Sequence, residues 1–138
     1  GVQTCALPIY REVATVLGNL ARMHFQFEEC PMAATCQLEA LALLRNLNLE
    51  NDPEFLAQLG NLAVFHRHNQ KPKLELNVLT EMLTRQQHHF QQVRGHFGEG
   101  DALTYLQGHR RGVALFQAAC AAALLACPHC CSHGITIL

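Results

Sequence analysis

The chain has 138 residues, 49% of them hydrophobic, with 10 Lys+Arg against 11 Asp+Glu and a formal net charge of -1. That length and apolar content suit one domain with a core and exclude bulk disorder. Balanced charge, no basic run longer than Arg110-Arg111 and no Trp exclude a dedicated nucleic-acid binder and a polybasic membrane patch.

Gly1 to Ile9 read Gly-Val-Gln-Thr-Cys-Ala-Leu-Pro-Ile, a string that resembles the translation of a sequencing-library adapter. Residues 1–10 are therefore set apart as an artefactual or disordered leader. From residue 11 the apolar positions follow helical steps. Val13, Val16, Leu17, Leu20, His24 and Phe27 recur every three or four residues and predict one apolar helix face. Pro31 then fits only near a helix start, since it has no N–H to give the preceding turn. Beyond it Ala33, Cys36, Ala40, Leu41 and Leu44 share a face.

Leu17-Gly18-Asn19-Leu20-Ala21 returns as Leu59-Gly60-Asn61-Leu62-Ala63, an offset of 42, and His24 returns as His66. One duplicated supersecondary unit is the economical reading. The second copy opens with Asn51-Asp52-Pro53-Glu54. Asp52 can accept from free N–H groups, Pro53 suits the first helical position, and Glu54 complements the positive end of the helix dipole. Phe55, Leu59, Leu62 and His66 give its first helix an apolar face. After Pro72, Glu75, Val78, Leu79, Met82 and Leu83 give its second helix one, less cleanly.

Small residues at Ala21, Ala33 and Ala40 let helices approach closely. In the second copy their places fall to Ala63, Glu75 and Met82. An unpaired carboxylate in a tight crossing costs several kcal/mol, so Glu75 is expected to tilt to solvent. Residues 11–86 thus read as two helical hairpins. Residues 87–127 read as a weaker third hairpin or capping helices. Phe90, Val93, Arg94 and Phe97 form a short helix there, Gly98 to Gly100 a turn, and Asp101 caps a last helix broken by Gly108 and Gly112. Residues 128–138 form a flexible tail rich in Cys and His.

The spacing resembles the tetratricopeptide repeat family. Leu17, Leu20-Ala21 and His24 occupy its first-helix positions in copy one, Leu59, Leu62-Ala63 and His66 in copy two, and Ala33 and Ala40 match its later small positions. The period exceeds the ordinary repeat of about 34. It is similar to the long-helix subtype of kinesin light chains and nephrocystin-like proteins, whose linker Asn51-Asp52-Pro53 also resembles. His stands twice for the usual Tyr, Gln37 for a large apolar residue, and Glu75 and Met82 for small ones.

The resemblance implies an all-α fold of antiparallel hairpins stacked as a short α-solenoid. It implies a non-enzymatic, cytoplasmic scaffold without cofactor, whose first helices line a groove for a protein or peptide partner. Asn19 and Asn61 match positions that offer amides to a bound backbone. An amide donates and accepts, so it pairs with any extended chain. Arg22, three residues beyond Asn19, and Arg67, six beyond Asn61, can meet a carboxylate. With two clear repeats, self-association through exposed helix faces is also expected.

Other chemistry is set by the Cys-rich end. Cys127-Pro128-His129-Cys130 has the form of a redox tetrad, but it follows an apolar helix instead of opening one and no βαβ pattern surrounds it. Cys127, Cys130, Cys131 and His133 can supply four zinc ligands, the rival reading of a small metal-binding module on a helical stem. Cys30 and Cys36 read as reduced thiols. Val113 to Cys127 is 15 residues long, short for a bilayer span. His66-Arg67-His68 and His88-His89 lack the three- or four-residue spacing that puts two ligands on one helix face.

Overall fold

A computed structural model describes residues 2–93 and 99–126. The described residues form helices α1 (Val2–Gln26), α2 (Cys30–Asn46), α3 (Pro53–His68), α4 (Pro72–Val93) and α5 (Glu99–Ala126). Each packs on the next in chain order, and α1 also touches α3. The fold is all-α, with hairpins α1–α2 and α3–α4 laid side by side and α5 closing the row against α4, a solenoid-like stack.

The structural period equals the sequence period. α1 ends at Gln26 and α3 at His68; α2 begins at Cys30 and α4 at Pro72; each pair lies 42 residues apart. The turns repeat as well. Glu28, Asn48 and Gln70 adopt positive φ, at 63°, 56° and 57°. In each case the next amide donates to the carbonyl five residues back: Glu29 to His24, Leu49 to Leu44 and Lys71 to His66, all at 2.9 Å. This closure satisfies carbonyls the helix end leaves free and turns the chain through a left-handed residue. Helix starts follow the expected chemistry. Asp52 Oδ1 accepts from the Glu54 amide at 2.9 Å, and Pro31, Pro53 and Pro72 all sit at helix starts.

The core runs through the seams between helices. Ala14, Ala21, Ala33, Leu41 and Leu44 bury the first hairpin, and Phe55, Leu59, Leu62, Phe65 and Leu79 the second. The apolar faces expected on α2 and α3 are buried, and that of α4 is buried or half-buried. The face expected on α1 is not. Val13, Val16, Leu20, Met23 and Phe27 are 39% to 71% exposed, and α1 instead buries Ala14, Gly18 and Ala21. The small residues win because α1 lies close along α2 and α3, where short side chains admit a neighbouring helix. A Cβ added at Gly18 would stand 3.3 Å from Nε2 of Gln58 on α3.

Three further expectations change. Glu75 does not tilt to solvent: it is buried, and Oε1 accepts from Arg67 Nε at 2.8 Å and from Nη2 at 2.5 Å, so the carboxylate has its partner. Among the described residues no separate short helix precedes the last one, because α4 runs on to Val93 and takes in Phe90; Arg94 and Phe97 lie outside the described residues. α5 starts at Glu99 and passes unbroken through Gly108 and Gly112, so Asp101 lies inside it and is not its cap. Gly112 marks a close crossing: a Cβ there would come within 2.8 Å of Leu83 on α4. At the other end, α1 extends back to Val2 with Pro8 inside it.

Polar groups fasten the seams. Gln37 on α2 donates through Nε2 to Gln58 Oε1 at 2.9 Å, and both side chains are buried. Gln58 Nε2 goes on to Glu54 Oε1 at 3.1 Å, which also accepts from Thr15 on α1 at 2.7 Å. Arg45 grips Glu81 with two bonds of 2.8 Å, and Arg85 reaches Glu81 and Glu50. Both guanidinium groups lie about 5 Å from the Phe55 ring centre. The bond from Arg45 holds the Glu81 carboxyl below its ordinary range, against the opposing effect of burial.

Candidate functional site

The residues expected to face a partner fall into two groups. Asn19 and Arg22 are exposed on α1, and Asn61 is half-buried on α3. Among the described residues none of these three side chains makes a hydrogen bond or ion pair. Arg67 differs. Its guanidinium is bound to the buried Glu75, which places it in the core seam of the second hairpin. Its side chain still keeps 43% of its surface in solvent.

Asn19 and Asn61 stand at the same place after a Leu-Gly pair on the first helix of each hairpin, and those two helices touch. Two amides repeated on adjacent helices can pair with an extended backbone at two points. The two repeated histidines differ in setting. His66 is buried, which pushes its pKa down against the opposing pull of Glu75. His24 is half-buried and its Nδ1 lies 2.5 Å from Glu29 Oε2.

Two clefts open beside Asn51. One of about 420 Å³ is lined by Asn51, Glu81, Thr84, Arg85 and His88. Its Arg and Glu are bound to each other. Among the described residues, no group of three His, Cys, Asp or Glu side chains gathers to hold a metal ion. Cys30, Cys36 and Cys120 are free thiols. The alternative zinc ligands Cys127, Cys130, Cys131 and His133 lie outside the described residues. No described helix is long and apolar enough to cross a membrane.

The sequence reading missed the exposed stripe on α1. Its signal, steps of three and four, is the same one a buried core face gives. The clue to the true buried face was the spacing of Ala14, Gly18 and Ala21, small residues four and three apart. Neither a family model, nor a curated protein, nor a solved structure matches the chain.

Proposed function

We propose that this chain is a non-enzymatic protein–protein interaction scaffold of the tetratricopeptide kind, binding a peptide or partner helix across the first helices of its two hairpins. The observation that carries the reading is the pair of repeat-equivalent amides, Asn19 and Asn61, left without internal partners on adjacent helices. Arg22, exposed and without an ion pair, adds a site for a carboxylate. Arg67 contributes only what its bond to Glu75 leaves open. A cytoplasmic setting suits free thiols at Cys30 and Cys36.

The test is selection from a displayed library of random peptides, followed by affinity measurement on the selected sequences. Each of Asn19→Ala and Asn61→Ala should weaken binding by about five- to tenfold, the worth of a hydrogen bond to an extended backbone. Arg22→Ala should weaken only peptides with an acidic residue. Selected peptides that ignore both Asn substitutions would remove the reading.

A further inference from the structure

The stripe on α1 is exposed along its length. Val13, Val16, Leu20, Met23 and Phe27 follow steps of 3, 4, 3 and 4, the spacing of a seam between two helices. Their counterparts 42 residues on are Phe55, Gln58, Leu62, Phe65 and Asn69. The first four are buried, and four of the five meet the neighbouring hairpin directly, Phe55 lying under the Arg45 guanidinium of α2. Gln58 bonds Gln37, the Phe65 ring lies 5.0 Å from that of Phe25, and Asn69 donates to the carbonyl of Cys30. Position for position, the stripe is the surface this fold uses to join one hairpin to another.

We propose that the stripe seats the same stripe of a second copy of this chain, with the two α1 helices antiparallel. A second copy has little else to offer it. Among the described residues the matching side of α2 is covered by α3 and that of α4 by α5; the outer side of α5 exposes Leu103 and Leu106, a single pair against the five-residue stripe of α1. The contact is then isologous. Across two copies the five side chains expose on the order of 1,000 Å², about the least a specific interface needs. Antiparallel seam geometry sets Val13 against Met23 and Val16 against Leu20. Each layer pairs a short branched side chain with a longer one, which fills the seam evenly. Antiparallel crossing also sends the two exposed Glu12 carboxylates to opposite ends and opposes the helix dipoles, where parallel crossing would set like against like.

The test is sedimentation equilibrium of the full chain from low to high micromolar concentration. A monomer–dimer equilibrium is expected. Leu20→Asp and Val16→Lys should each raise the dissociation constant by at least about thirtyfold, with helix content unchanged because both sites face solvent in the monomer. Mixing the two variants should restore a heterodimer, because residue 16 of one copy faces residue 20 of the other. Leu38→Asp, at an exposed apolar site on α2, should leave the dimer intact. A chain monomeric at every concentration, association that survives both α1 variants, equal loss on Leu38→Asp, or no heterodimer on mixing would each overturn the proposal. None of these outcomes depends on peptide binding at Asn19 and Asn61.

Discussion

α1 and α3 carry the same five residues, Leu-Gly-Asn-Leu-Ala, yet bury different ones. Leu62 is 2% exposed and Leu20 is 39% exposed. Ala21 and Ala63, by contrast, are both buried. The difference comes from neighbours and not from local conformation, since both helices end in the same left-handed closure. α3 has the first hairpin on one side and α4 on the other, whereas among the described helices α1 meets only α2 and α3, on one side. A repeated sequence therefore fixes which residues share a face. Whether that face is buried depends on where the copy stands in the row.

Shortening both leucines separates the two helices most. Leu62→Ala should cost about 3 kcal/mol of unfolding free energy, because the side chain is enclosed and leaves a cavity. Leu20→Ala, read on the monomer, should cost less than about 1 kcal/mol. Equal losses would mean that α1 is as enclosed as α3. Next in size is the ion pair of the second hairpin. Arg67 and Glu75 occupy the places that Phe25 and Ala33 hold in the first. Arg67→Ala should cost about 2 kcal/mol, because Glu75 is left buried with no counter-charge. The double change Arg67→Phe with Glu75→Ala, which installs the first copy's pair, should recover most of that loss. Denaturant titration of the two singles and the double gives the coupling directly.

The helical hairpins were legible in the sequence because their signals are local. Proline at helix starts, the Asp52 cap and apolar steps of three and four depend on a few adjacent residues. The partner of Glu75 was not legible. Arg67 is only eight residues away, but recognising the pair needs the geometry of the α3–α4 turn. Nor was the exposure of α1, because a sequence window holds no information about how many helices flank it. Gly100 and Asp101 read as a turn and a cap by composition, yet the helix already begins at Glu99. A helix's first turn tolerates both residue types. For the candidate site, Asn19 and Arg22 could be placed on the surface from the repeat alone. The fate of Arg67 could not.

The glycines at the repeated Leu-Gly give a finer contrast. A Cβ at Gly60 would meet only Met82 Sδ, at 3.9 Å, an ordinary contact. Gly60→Ala should therefore gain up to about 1 kcal/mol from helix propensity. At Gly18 the same methyl would press on the amide of Gln58, which ties α2 to α3 through Gln37 and Glu54. Gly18→Ala should gain nothing and can lose stability. Thermal melts of the two variants side by side decide it, and an equal gain at both sites would show that the Gln58 amide is free to move.

The smallest expected effect lies in the pH dependence of the second copy. Burial pushes the pKa of His66 down, so the folded chain holds its neutral form where the unfolded chain has begun to take up a proton. Stability from this residue is complete above the unfolded value of about 6.5 and is lost as pH falls from there through the folded value. Glu81 acts in the same direction at lower pH. Arg45 holds its carboxyl down, so its contribution is lost as pH falls below the ordinary carboxylate range, near 4.5. The two windows separate the two groups. Melts taken from about pH 7.5 down to about 3.5 should show two declining limbs. His66→Gln should flatten the upper limb and leave the lower one, while Glu81→Gln should do the reverse. An upper limb unchanged by His66→Gln would mean that the buried second-copy histidine is as open to protons as a solvent-facing one. The contrast between an enclosed α3 and an exposed α1 would then lose its electrostatic side.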